Sequence, residues 1–186
     1  METQETIAQR RSIRQFKPQA INRSIVKELL AAAILAPSSH NSQPWHFVVV
    51  NAKEVTTIAT LLETASLTHQ SDSTIAHTAG VLKSANVLIL VFYENQAQNK
   101  DQYEMELQSI GCALENLCLA ATDRGIGSLY VGNTYVIKEA LTEKYAPNTH
   151  MSLVATIALG YPDQAPNMRP RKKLEQVCTW HWKEGE

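Results

Sequence analysis

A sheet covered by helices, of the α/β or α+β class, is the fold that this 186-residue chain predicts. Three observations point to it. Segments with helical spacing alternate with short β-branched runs along the whole chain. One run, Asn86–Phe92 (NVLILVF), is apolar at nearly every position, as a strand buried on both faces must be. Hydrophobic content of 44% over this length supports a single core. With no repeat, low-complexity linker or composition break, residues 1–186 read as one domain.

The elements follow in order. ETIAQRRSIRQF reads as a short helix entering a basic loop. Ser24–Ala36 is a helix with a Ser cap, Glu28 near its start, Ala and Leu at helical spacing, and Pro37 as its stop. The polar stretch APSSHNSQPW (Ala36–Trp45) follows and leads into the strand HFVVV. Asn51 caps a helix through about Leu62. ETASLTHQSDST is polar and without clear periodicity, so a loop or lid is expected over Glu63–Ser73. Ser73–Lys83 is a helix and NVLILVF a central strand.

Asp101–Arg124 is the longest helix. Its second half is apolar or small almost all round, which places it centrally or against another subunit. GIGS supplies a glycine C-cap, SLYVG a short strand, TYVIKEALTEKY a helix and His150–Tyr161 a long strand. The tail PDQAPNMRPRKKLEQV is polar and punctuated by proline.

Bulk properties remove several function classes. A net charge of -1 gives no global field for nucleic acid or an anionic membrane. Apolar runs are far shorter than a membrane span, and the N-terminus is polar, so a cytoplasmic location is expected. Cys112, Cys118 and Cys178 form no C-x-x-C pair and fit a reducing compartment; no metal site is expected. There is no G-x-x-x-x-G-K-[ST] loop. GIGSLYVG has the first two glycines of a dinucleotide fingerprint, but Tyr130 stands at the third and the stretch leads into a strand.

Three groups of residues carry chemistry. Arg10, Arg11 and Arg14 with Ser12 form a compact donor cluster; guanidinium groups grip phosphate bidentately, and a solvated basic patch is the alternative. Arg169, Arg171, Lys172 and Lys173 form a second basic group near the other end. The two would build one anion site if the termini meet. Ser38, Ser39, Asn41 and Gln43 offer hydroxyls and carboxamides, which suit a neutral planar heterocycle or an ordinary turn.

Taken together, RRSIRQF, APSSHNSQPWHF, GCALENLCLAATDRGIGSLYVGN and ALGYPDQAPNMRPRKKLEQV resemble the FMN-dependent nitroreductase family in order, spacing and chain length. The resemblance implies a three-layer α+β fold, a mostly antiparallel sheet flanked by helices, in an intertwined homodimer with FMN at the subunit interface. It assigns the FMN phosphate and ribityl chain to Arg10, Arg11, Ser12 and Arg14, with Arg169 and Arg171 sharing the phosphate. Pro37, Ser38, Ser39, Asn41 and Gln43 would reach the isoalloxazine from the partner subunit. Val131, Gly132 and Asn133 would line the ring, with the Gly132 backbone N–H as the partner of flavin N5. His69 and Gln70 would face either the open side of the flavin or solvent. The implied activity is ping-pong hydride transfer from NADH or NADPH through FMN to a small electron acceptor, a nitroaromatic, quinone or similar electron-poor molecule, with no catalytic side-chain triad. Alternatives are a specialised flavoenzyme of the same fold (dehalogenase, enoyl-type reductase or flavin-fragmenting enzyme) or a non-catalytic module for a phosphorylated ligand.

Overall fold

The computed structural model describes residues 1–68, 73–94 and 97–182. Four strands form one sheet: β1 (Trp45–Asn51), β2 (Val87–Glu94), β3 (Gly127–Tyr130) and β4 (Met151–Gly160), in the order β1-β2-β4-β3. Every neighbouring pair is antiparallel, which makes the class α+β. Helices α1 (Thr3–Gln9), α2 (Arg23–Ala33), α3 (Ala52–Thr68), α4 (Ser73–Ser84), α5 (Lys100–Asp123) and α6 (Lys138–Tyr145) surround it.

The expected two-faced strand is β2. Leu88, Leu90 and Phe92 enter a core with α3 and α4, while Val87, Ile89, Val91 and Tyr93 enter a second core with α2 and α5. Period-two alternation therefore feeds two helical layers at once. In β4 the faces swap: Leu153 joins the first core and Ala155 the second. The register skips between Val91 and Phe92, so a bulge at this point lets one strand serve both layers in turn.

Two boundaries differ from the sequence expectation. The cap of α2 is Asn22, whose carboxamide oxygen accepts the Ser24 N–H at 2.9 Å, two residues earlier than the expected Ser24 cap. The loop expected from Glu63 is helical through Thr68. Val55, Ile58, Ala59 and Leu62 bury the inner stripe, and Thr56, Thr57, Thr60 and Thr64 each bond the carbonyl four residues back, so polar residues continue the outer face. His69 and Gln70 lie outside the described residues. TYVIKEALTEKY divides into a 3-10 turn, Gly132–Ile137, and α6.

The glycine C-cap of α5 is as expected. Gly125 sits at φ 69°, and the Gly125 and Ile126 N–H groups return to Thr122 and Ala121, the paired bonds of a Schellman ending.

An exposed pair joins α3 to α6. Glu54 accepts from Lys144 Nζ at 2.9 Å and from the Tyr145 hydroxyl. Lys144 first, then Tyr145, holds the Glu54 carboxyl below the usual carboxylate range, and Glu54 raises Lys144 in return. A depressed carboxyl stabilises the fold above its unfolded pKa and loses that effect as pH falls through the folded value. Glu54→Gln should therefore lower Tm at pH 7, and the deficit should shrink at about pH 3, below the ordinary carboxylate range. Thermal melts at both pH values check this; an undiminished deficit in acid would assign the loss to packing instead.

Candidate functional site

The N-terminal strap crosses the sheet edge beside β3. The Ile13 N–H donates to Ser128 O at 3.0 Å, Ser12 bridges Ser128, and Phe16 bridges Pro162. Two glycines let it lie this close. A Cβ at Gly127 would stand 2.8 Å from Ile13 Cγ1, and one at Gly160 would stand 2.6 Å from Phe16 Cδ1. Ile13 and Phe16 are buried, so the residues between and before them are delivered to the surface in a fixed order.

Those residues are the arginine cluster, and the tail returns to it. Arg10, Arg11, Ser12 and Arg14 line one cleft of about 160 Å³ with Pro166, Asn167, Arg169 and Arg171. The two basic groups expected from the sequence therefore meet. Asp163 N–H donates to Gln15 O at 2.9 Å, which fixes the start of the returning tail. Among the described residues, the one salt bridge made by these arginines joins Arg10 Nε to Glu115 at 3.2 Å. Arg11 Nη1 bonds the Ala8 and Arg10 carbonyls, while its Nε is buried without a partner among the described residues. A cleft with five guanidinium groups favours a dianion, and the Arg11 Nε is a donor still to be satisfied. Lys172 and Lys173 do not line it.

A second pocket, of about 120 Å³, opens at the end of β3. Arg14 lines it too, with His77, Thr78, Val81, Leu129, Tyr130, Val131, Gly132 and Asn133. Arg14 thus borders both spaces. The Val131 side chain is buried in the core, its N–H goes to Thr156 O at 2.8 Å, and its carbonyl accepts from Thr134 Oγ1. Val131 therefore shapes the wall and has little polar capacity left. Gly132 is exposed and opens the 3-10 turn, so its N–H has no partner inside that turn. Asn133 Nδ2 donates to Thr74 and Thr78 on α4, at 3.0 and 2.9 Å. Its amide secures α4 against the turn. Burial raises the Tyr130 phenol above its ordinary pKa.

The loop Pro37–Gln43 lines neither space within one chain. Its backbone is held tightly all the same. His40, Asn41 and Gln43 adopt left-handed φ values of 50°, 56° and 46°. Such conformations cost non-glycine residues about 1–2 kcal/mol each. The Ser38 hydroxyl accepts the Gln43 N–H at 3.0 Å, and the Ser39 N–H reaches Ser109 Oγ on α5 at 3.1 Å. Asn41 and Gln43 keep exposed side chains.

Sequence reasoning missed His77, Thr78, Pro166 and Asn167. A single His or Thr on a helix has no distinctive spacing. Asn167, however, stands next to the tail arginines in the quoted motif and was within reach. No helix among the described residues is long and apolar enough to cross a membrane, and no group of three potential metal ligands occurs among them.

Comparison with known proteins adds to this geometry. The family model described as "Nitroreductase family" matches residues 7–161. A protein of Archaeoglobus fulgidus, provisionally named NADH dehydrogenase/NAD(P)H nitroreductase, is 35% identical over 157 residues, spanning 82% of this chain and 81% of that one. A crystal structure from Desulfovibrio desulfuricans, provisionally named a nitroreductase and solved with FMN, superposes with a TM-score of 0.80 at 26% identity, over 98% of this chain and 99% of that one. Nitroreductase A of Vibrio parahaemolyticus shares the fold, with a TM-score of 0.82 at 22% identity, over 100% of this chain and 78% of that one.

Proposed function

The chain belongs to the nitroreductase family, and on that premise we propose that it is an FMN-dependent NAD(P)H oxidoreductase acting on small electron-poor acceptors such as nitroaromatics and quinones. The observation that carries the proposal is the convergence of Arg10, Arg11, Arg14, Arg169 and Arg171 on one cleft, with Arg14 also bordering the pocket beside Gly132. A cofactor with a phosphate at one end and a planar ring at the other suits two adjoining spaces of this kind.

The residues have separate tasks. Arg10, Arg11, Arg14, Arg169 and Arg171, with the Ser12 hydroxyl, hold the phosphate end. The unpartnered Arg11 Nε fits that role. Gly132 offers a backbone N–H to the ring edge, and Asn133 keeps the turn in place through α4. FMN held there would supply the redox chemistry, hydride transfer between a nicotinamide and the acceptor. The protein's part is to bind, orient and shield, which requires no acid–base triad.

The reading includes a homodimer acting in the cytoplasm. Leu35 is 82% exposed at the end of α2, and Trp180 and Trp182 are 64% and 66% exposed in a tail that also exposes Met168, Leu174 and Val177. So much apolar surface is unusual on a lone subunit. On α5 the outward positions Gly111 and Cys112 are small and exposed, which suits close packing against a second copy. In that dimer the partner's Pro37–Gln43 loop would bring Ser38, Ser39, Asn41 and Gln43 to the ring, and its strained backbone would present their short polar groups.

Purified protein should be yellow and release FMN on heating, at about one per subunit, and NADH or NADPH should bleach it without oxygen. Colourless protein that also refuses added FMN would remove the cofactor assignment. Yellow protein that neither nicotinamide bleaches would keep the flavin and remove the donor.

A further inference from the structure

The pocket at the end of β3 contains one imidazole, that of His77. Imidazole is the side chain whose charge changes near neutral pH. The helix face that carries it is secured from outside. Asn133 bonds Thr74 and Thr78, and residues 74, 77 and 78 share one face of α4 by helical spacing. His77 is therefore presented beside Arg14 and Gly132, yet it is exposed and can exchange protons with water.

We infer that His77 couples reduction of the bound flavin to uptake of a proton on its own imidazole. The inference rests on the FMN reading above and adds a residue that the family resemblance did not assign. Reduction places negative charge on the flavin ring. Arg14, which lines the same pocket, is permanently cationic. Once the ring is anionic, an imidazolium beside it becomes favourable. The hydride and its two electrons come from NAD(P)H, and the additional proton comes from water.

The other ionisable side chains lining the pocket are Arg14 and Tyr130. Neither changes charge near neutrality: the arginine stays charged, and burial raises the phenol further from that range. From α3, Glu63 reaches α4 but pairs with Lys83 at 2.8 Å. The turn after β3 gives the pocket Gly132 and Asn133, which carry no charge. The sign follows. Reduction raises the imidazole's proton affinity, so extra uptake occurs only between the oxidised-state and reduced-state values. It vanishes below that window, where His77 is charged in both states, and above it, where His77 is neutral in both.

The test is the midpoint potential of FMN-loaded protein, wild type, His77→Gln and His77→Lys, from about pH 5.5 to 8.5, a range that spans ordinary imidazole titration. Potentials of bound and free FMN give the ratio of oxidised to reduced Kd. In wild type that ratio should exceed the His77→Gln value by about tenfold at the acid end, one pKa unit of linkage, and match it at the alkaline end. His77→Lys should hold the higher ratio throughout. Coincident curves for wild type and His77→Gln overturn the inference while leaving FMN binding intact. Failure of wild type to bind FMN overturns the flavin reading as well.

Discussion

Arg14→Ala should weaken FMN binding by roughly ten- to a hundredfold, the equivalent of about 1.5–3 kcal/mol for one charge-assisted contact. Arg14 is the most sensitive of the arginines because it borders both the basic cleft and the β3-end pocket. Its guanidinium is also little used by the protein itself, with one long bond to Ser12 O at 3.4 Å. Arg10 differs, because Glu115 already takes part of its charge. Arg10→Ala would lose a donor and leave Glu115 without its Arg10 partner. Fluorescence titration of apo-protein with FMN at two salt concentrations checks both variants. Weaker wild-type binding at high salt, with a smaller salt effect in each variant, would show that phosphate charge is being read. An Arg14→Ala affinity within twofold of wild type would remove Arg14 from the cofactor site. Arg14→Lys discriminates further. It keeps the charge but loses the planar fork, so intermediate affinity is expected if geometry matters beyond charge.

The legible parts of this fold were those in which one residue type has one use. Asn86–Phe92 reads as a two-faced strand because alternate residues feed two cores, and nothing polar interrupts the run. Gly125 reads as a helix ending because its left-handed φ of 69° is a glycine conformation. Thr64 was misleading in the opposite sense: threonine in a polar run argues against helix, yet its hydroxyl bonds the Thr60 carbonyl one turn back, as those of Thr56, Thr57 and Thr60 do before it, and the helix continues past Leu62. At the site, the arginines were visible but their meeting was not. It depends on the strap beside β3 and on the Asp163–Gln15 bond, which join the two ends of the chain through backbone atoms that carry no residue signature. His77 was invisible for a related reason: the α4 face that carries it is secured by Asn133, 56 positions later and beyond β2, α5 and β3.

Gly160→Ala tests whether the strap is a structural support for the site or merely lies near it. A Cβ at Gly160 would meet the Phe16 ring at 2.6 and 2.7 Å and Asn86 Oδ1 at 2.8 Å. Phe16 is 5% exposed and cannot swing away without leaving its core, and Asn86 is anchored by its Nδ2 bond to Lys17 O at 3.3 Å. Overpacking of this kind costs about 1–3 kcal/mol. For a chain of this size that lowers Tm by roughly 2–12 °C. Gly80→Ala is the control: it has open space at its Cβ and sits inside α4, so it should leave Tm unchanged or raise it. Relief of the clash by lifting Phe16 would also move Arg14, two residues earlier on the same strap. Gly160→Ala should then lose FMN affinity even at temperatures well below its melt. Melting curves with and without FMN separate the two effects, since a ligand bound only to the folded state raises Tm by an amount that grows with the logarithm of its affinity. A lower Tm with an unchanged FMN increment would mean that the strap stabilises the sheet edge without setting the arginine geometry. A lower Tm with a reduced increment would tie the small side chain at residue 160 directly to the hold on the phosphate.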